Sequence, residues 1–230
     1  MATGPPIWAD YQLANMDFVV QSRPMETNWA ADNLQTIRTL MERSAIYRRA
    51  LAPILLFAGV LGVVAAVAGW VFKLNSIRAF GSLWLGTAGV AVAGAFLIAR
   101  RQSLKDHEPF WSPPTRRVAQ ALLPALAAGL FLGLLITLTN TSDEYALFLV
   151  LIWTLFYGCA LHAAGFFTPR GMKLFGWLYI VGACGFFGFL AALHFGSNPD
   201  ANLVMGIFFG VPHLAYGTYL YLTEKRGNES

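Results

Sequence analysis

Six long apolar segments that contain no Asp, Glu, Lys or Arg constrain this chain most strongly. They cover residues 51–71, 80–99, 118–138, 145–167, 174–195 and 203–222. Each has about 20 residues, the length that a helix needs to cross a ~30 Å hydrocarbon layer. Lipid cannot satisfy backbone polar groups, and the segments are too long and too uniformly apolar for barrel strands. The sequence therefore predicts an all-α integral membrane protein with six transmembrane helices.

The composition excludes an ordinary soluble domain. Hydrophobic residues make up 57% of the chain and charged residues only 12%, which is about half the usual charged share. A soluble fold of this size exposes too much of its surface to hide so many apolar side chains. The net charge of +4 does not indicate a nucleic-acid partner, because the cations flank apolar segments and suit an anionic membrane surface instead.

The distribution of Lys and Arg predicts the orientation. With the N-terminus inside, 14 of the 16 basic residues fall on the cytoplasmic side, and only Lys73 and Arg78 fall outside. Residues 100–117 alone carry five of them. Because cytoplasmic loops are enriched in Lys and Arg, we predict that both termini are cytoplasmic.

The chain divides into four predicted parts. Residues 1–31 form a flexible cytoplasmic arm, and residues 32–49 a short amphipathic helix with apolar residues at helical spacing. This helix either lies in the membrane interface or extends the first transmembrane helix. Residues 50–223 form the six-helix domain, and residues 224–230 a cytoplasmic tail.

Two patterns bear on how the helices pack. An offset of 71 residues aligns several positions of the first hairpin with the second, which favours a helical-hairpin repeat, although apolar sequences also match by chance. The aligned positions are Pro53 with Pro124, Leu61-Gly62 with Leu132-Gly133, Ala93-Gly94 with Ala164-Gly165, and Phe96 with Phe167. GxxxG pairs at 129/133 and 206/210 indicate close helix contacts, which we interpret as packing within one bundle rather than as a dimer face.

A polar patch in the sixth segment is the candidate ligand-binding site. Pro212, His213 and Tyr216 lie there, and His162 and Tyr157 lie in the fourth segment. A polar side chain inside the membrane is costly and points to function, and a proline there frees a carbonyl and often kinks the helix. The alternative is a packing kink without a ligand, in which each histidine bonds a nearby hydroxyl or carbonyl.

No catalytic, metal or cofactor site is predicted. The apolar segments contain no pair of carboxylates, and the chain has no HExxH, GxSxG or P-loop motif. A haem held by His162 and His213 is a less favoured alternative, because the two differ by roughly 8–10 Å in predicted depth at 1.5 Å per residue.

Two motifs carry a family resemblance. The first is Leu34-Gln35-Thr36-Ile37-Arg38-Thr39-Leu40-Met41-Glu42-Arg43-Ser44, and the second is Phe209-Gly210-Val211-Pro212-His213-Leu214-Ala215-Tyr216-Gly217. The chain resembles a family of uncharacterised bacterial six-helix inner-membrane proteins with an N-terminal LxxIRxxMERS element and a C-terminal FGxxHxxYG element. Pro212 departs from that pattern, where an aliphatic residue is expected. The resemblance implies the architecture and the inner membrane, but no activity.

These features favour a non-enzymatic membrane protein, a sensor or regulatory interaction partner. Its partners are the lipid bilayer and either a cytoplasmic protein or further copies of the chain. A small-molecule transporter or carrier is the first alternative, because Pro212 interrupts the sixth helix and many transporters use broken helices. A haem- or quinone-binding redox protein is the second alternative.

Overall fold

The computed structural model describes residues 33, 50–105, 110–140, 142–168, 171–192 and 199–229. The regular structure of these residues is helical and includes no strand. The predicted arm and, apart from Asn33, the predicted amphipathic helix lie outside the described residues.

Six helices in the described part of the chain are long and apolar enough to cross a membrane. The first five are α1 (Ala50–Val71), α2 (Ile77–Lys105), α3 (Pro113–Thr139), α4 (Tyr145–Ala164) and α5 (Gly171–Ala192). The sixth span covers Ala201–Thr223. Each predicted apolar segment corresponds to one of these helices, so the predicted fold class is confirmed: the chain is an all-α, multi-pass membrane protein.

The outward faces of the helices are apolar, as contact with lipid requires. On α1, Val60, Val64, Val67 and Val71 are each about half exposed. Their spacing of three or four residues places them on one face of the helix. In water such a stripe would be an aggregation hazard, whereas in a bilayer it meets acyl chains.

The sixth span changes its helix type in the middle. It consists of α6 (Ala201–Met205), a π-helical turn (Gly206–Gly210) and α7 (Val211–Glu229). The Asp200 side chain caps α6 by accepting hydrogen bonds from the backbone N–H groups of Asn202 and Leu203 at 2.9 and 3.2 Å. The helical backbone of α7 continues beyond the span to Glu229, so it includes most of the segment predicted as a tail.

Glycines bring the sixth span against α1. A Cβ atom added at Gly210 would lie 2.8 Å from Cγ2 and 3.0 Å from the backbone nitrogen of Val63. One added at Gly59 would lie 2.7 Å from the backbone nitrogen of Leu214. Only the missing side chains let these backbones approach so closely. The GxxxG pair at 206/210 therefore packs within the chain, as interpreted from the sequence.

A buried asparagine joins the same two regions at the other end of α1. Asn202 is fully buried. Its Oδ1 accepts from Trp84 Nε1 at 3.1 Å, and its Nδ2 donates to the Leu74 carbonyl at 3.1 Å. A buried amide is costly unless it is paired, and these bonds hold α2 and the α1–α2 connection against α6.

Candidate ligand-binding site

His213 is the buried centre of the candidate site. It is 1% exposed, and it lies 12 residues after Ala201 and 10 residues before Thr223, near the middle of the sixth span. Pro212 precedes it and has no N–H to donate, and its ring crowds the carbonyl one turn earlier. The wider π-helical turn before Pro212 accommodates that ring. His213 Nδ1 lies 2.5 Å from the Phe209 carbonyl oxygen.

Two tyrosines from neighbouring helices reach the same imidazole. The hydroxyl oxygen of Tyr157 on α4 lies 2.6 Å from His213 Nε2. The hydroxyl oxygen of Tyr179 on α5 lies 2.8 Å from Nδ1. Three spans thus meet at one ring, and we call Tyr157, Tyr179 and His213 the Tyr–His triad.

The geometry selects one tautomer of the imidazole. A carbonyl oxygen only accepts, so the short contact between Nδ1 and the Phe209 carbonyl needs a hydrogen on Nδ1. In the neutral ring, Nε2 is then the acceptor, and the Tyr157 hydroxyl donates to it. Tyr179 is left to accept from the same Nδ1–H in a shared bond. With the other tautomer, two acceptors would face each other at 2.5 Å.

A close crossing of α4 and α5 positions the two tyrosines. A Cβ atom added at Gly176 would lie 2.5 Å from the backbone nitrogen of His162, and one added at Gly158 would lie 2.8 Å from Cβ of Tyr179. Gly158 directly follows Tyr157, and Gly176 lies one turn before Tyr179. The two glycines therefore set the separation at which both hydroxyls reach His213.

Further aromatic rings pack against the triad and form its envelope. The Phe209 ring centroid lies 4.4 Å from that of His213, and the Phe175 centroid lies 5.4 Å away, edge-on. Tyr157 and Tyr179 meet edge to face at 5.1 Å. This apolar envelope lowers the local polarity and so strengthens the hydrogen bonds inside it.

A cavity of about 420 Å³ borders the triad. This volume lies within the range of small-molecule sites, which are mostly apolar with a few placed polar groups. The cavity is lined by Trp84, Leu85, Thr87, Ala88, Gly89, Val92, Leu126, Gly129, Leu130, Trp153, Thr154, Phe156, Tyr157, Tyr179, Met205 and Phe209. The lining comes from α2, α3, α4, α5 and the sixth span, and it carries no charged residue.

Most polar groups on the cavity wall are already paired within the protein. The hydroxyls of Thr87 and Thr154 donate to carbonyls one turn earlier in their own helices, at 2.8 and 2.7 Å. Trp153 Nε1 donates to the Gly129 carbonyl at 3.0 Å, and Trp84 Nε1 donates to Asn202. The hydroxyl of Tyr179, which only accepts within the triad, is therefore the part of the wall most able to bind a polar group of a ligand.

The structure brings together part of the predicted site. His213 and Tyr157 share a hydrogen bond, and Pro212 lies next to them at the π-helical turn. Tyr216 stacks on Phe175 at 4.7 Å and so supports the envelope rather than the cavity wall. The cavity and the contribution of Tyr179 were missed, because a tyrosine in an apolar segment gives no sign of which helix it faces.

His162 lies apart from the triad. Its ring packs edge-on against Phe166 and Trp177, and its buried Nδ1 has no hydrogen-bond partner among the described residues. No hydrogen bond or ring contact joins it to His213 in that part of the chain. Both ring nitrogens of His213 already bond protein groups, so this arrangement offers no free nitrogen pair for a haem iron.

In the described part of the chain, neither histidine belongs to a larger cluster of metal-binding side chains. Within the described residues, no group of three or more His, Cys, Asp or Glu side chains is placed to hold a metal ion.

Comparison with known proteins adds no further assignment, because no family model, curated protein or solved structure matches the chain.

Proposed function

We propose that this protein is a membrane sensor that binds a small apolar molecule in the cavity between α2, α3 and α4. The observation that carries the proposal is the uncharged, aromatic-lined cavity of about 420 Å³ with Tyr157 and Tyr179 of the Tyr–His triad on its wall. A molecule dissolved in the bilayer reaches such a site from the hydrocarbon side and needs no aqueous route.

The position of the triad supports sensing in particular. Tyr157 and Tyr179 touch the cavity and also hold His213. His213 belongs to α7, whose helical backbone runs out of the span to Glu229. A π-helical turn and a proline are sites where helices bend. A ligand that shifts either tyrosine therefore acts on a span that contains a π-helical turn and a proline and whose helix continues beyond the membrane-crossing segment.

Filling the cavity is expected to abolish ligand binding. Gly89 lines the cavity, and a Cβ added there would meet no atom within 4 Å. Gly89→Phe places a ring in the space, so the affinity for a brominated alkane probe should fall at least about tenfold. Bromine quenches nearby tryptophans, and Trp84 and Trp153 line the cavity. Saturable quenching in lipid nanodiscs, with the other five tryptophans replaced by phenylalanine, measures the binding.

The same helix offers a matched control. Gly86 also has open space around an added Cβ but does not line the cavity, so Gly86→Phe should leave quenching unchanged. Equal quenching curves for wild type, Gly89→Phe and Gly86→Phe would disprove binding in this cavity.

We further propose that the protein lies in a bacterial inner membrane, as the family resemblance implies, with both termini in the cytoplasm, as the charge split supports. Arg100, Arg101, Lys105, Arg116 and Arg117 are exposed at one end of the bundle, with Trp111 61% exposed beside them. Such a surface suits anionic headgroups, a cytoplasmic partner or a second copy of the chain.

Reporter fusions test this orientation. Green fluorescent protein fused after Ser230 is expected to fluoresce in cells, and alkaline phosphatase fused at the same place should be inactive. The opposite pair of results would place the C-terminus outside and contradict the proposal.

A further inference from the structure

We infer that the ligand is an uncharged apolar molecule with a carbonyl oxygen, a ketone or a quinone, and that the Tyr179 hydroxyl donates a hydrogen bond to that oxygen. The inference rests on the proposed function, since it names what the cavity binds. It is carried by the hydrogen bonds of the triad, which contain one more donor than they have acceptors for.

The triad holds one more donor than it can use. The Nδ1–H of His213 is shared between the Phe209 carbonyl at 2.5 Å and the Tyr179 hydroxyl oxygen at 2.8 Å. The Tyr157 hydroxyl donates to Nε2 at 2.6 Å. The hydroxyl hydrogen of Tyr179 then remains, because the bond to Nδ1 is the only hydrogen bond that this hydroxyl makes among the described residues.

This spare donor sits where water is scarce. Tyr179 is 2% exposed and lines the cavity. An unpaired hydroxyl in an apolar surrounding is unfavourable, and a partner that only accepts removes the penalty. A carbonyl oxygen is such a partner. A carboxylate is a poor one here, because the lining contains no Lys or Arg to balance its charge.

The depth of Tyr179 in the membrane distinguishes a ketone or quinone from the ester carbonyls of phospholipids. Tyr179 lies eight residues after Gly171 and 13 residues before Ala192 on α5, roughly 12 and 20 Å from the helix ends at 1.5 Å per residue. The ester carbonyls of phospholipids lie at the membrane boundary rather than at this depth. A ketone or quinone dissolved in the hydrocarbon layer can reach the site directly.

Two photoreactive probes test the inference on the full-length protein in nanodiscs of ether-linked lipid, which contains no ester carbonyl. One is a long-chain ketone with a terminal diazirine, and the other has a methylene group in place of the carbonyl. We expect the ketone to label peptides that line the cavity about tenfold more efficiently, as one hydrogen bond to a buried donor implies. In Tyr179→Phe, ketone labelling should fall to the level of the methylene probe.

The outcomes separate this inference from the proposed function. Equal labelling of the cavity by both probes in wild type overturns the carbonyl assignment and leaves the cavity site intact. Absence of cavity labelling by either probe overturns both. Infrared spectra of the ketone with a ¹³C carbonyl, bound to wild type, give a second measurement that needs no variant: a downshifted carbonyl band supports the hydrogen bond, and an unshifted band overturns it.

Discussion

Replacing Gly176 with leucine is expected to force α4 and α5 apart and to destabilise the protein by at least about 3 kcal/mol, at the upper end of overpacking costs. An added Cβ there would lie 2.5 and 2.8 Å from the backbone nitrogen and Cα of His162, and 2.9 Å from the Gly158 carbonyl oxygen. These are main-chain atoms, so no side-chain rotation relieves the clash. The midpoint of unfolding of the detergent-solubilised protein in sodium dodecyl sulfate, followed by circular dichroism, measures the loss.

A second glycine on α5 provides the control. An added Cβ at Gly185 would meet no atom within 4 Å, so Gly185→Leu changes the same residue type on the same helix without a clash. Its unfolding midpoint should stay close to that of wild type. If both variants lost stability equally, the cost would reflect leucine on α5 in general, and the close crossing of α4 and α5 would not be the cause.

The sequence was sufficient to predict the fold class, because the membrane imposes it. An apolar segment of about 20 residues has one stable backbone arrangement in lipid, so all six helices followed from the absence of charge in residues 51–71 and its five counterparts. The helix ends were less predictable. Hydropathy reports where lipid contact stops, whereas α2 and α7 continue as helices into polar residues, to Lys105 and Glu229.

Only those residues of the site that are unusual in a membrane-spanning helix could be predicted from the sequence. His213 stood out because an imidazole inside an apolar segment is costly, and Pro212 because it removes a backbone donor. Tyr179 did not, because its role depends on the distance between α4 and α5. Gly158 and Gly176 set that distance, and a GxxxG count does not reveal it, since these glycines lie on different helices.

For the same reason, the sequence could not show that His162 and His213 lie apart. Both are histidines in apolar segments, but residue type gives no information about facing. His162 packs edge-on against Trp177 of α5, whereas His213 accepts a hydrogen bond from Tyr157, five residues before His162 on α4. Five residues along α4 correspond to a rotation of about 140° beyond one full helical turn, at 100° per residue. The side chains of Tyr157 and His162 therefore leave α4 in different directions.

Replacing His213 with alanine is expected to destabilise the protein by at least about 3 kcal/mol. His213 is only 1% exposed, so removing its imidazole leaves a cavity. Truncations of this size commonly cost about 2–5 kcal/mol. The Tyr157 hydroxyl also loses its acceptor, which adds about 1–3 kcal/mol for a buried donor. The same detergent unfolding measurement applies, and saturable quenching by the brominated probe should weaken because both tyrosines lose their anchor.

His162→Ala is the matched control, because it removes the same side chain from an apolar helix. His162 is only partly buried, and its Nδ1 makes no hydrogen bond within the described residues, so we expect a loss of about 1 kcal/mol from apolar contacts alone. Equal losses in the two variants would mean that the hydrogen bonds of His213 contribute nothing beyond its packing. A larger loss in His213→Ala together with weaker quenching would link the triad to the cavity, since only that histidine holds the two tyrosines of the wall.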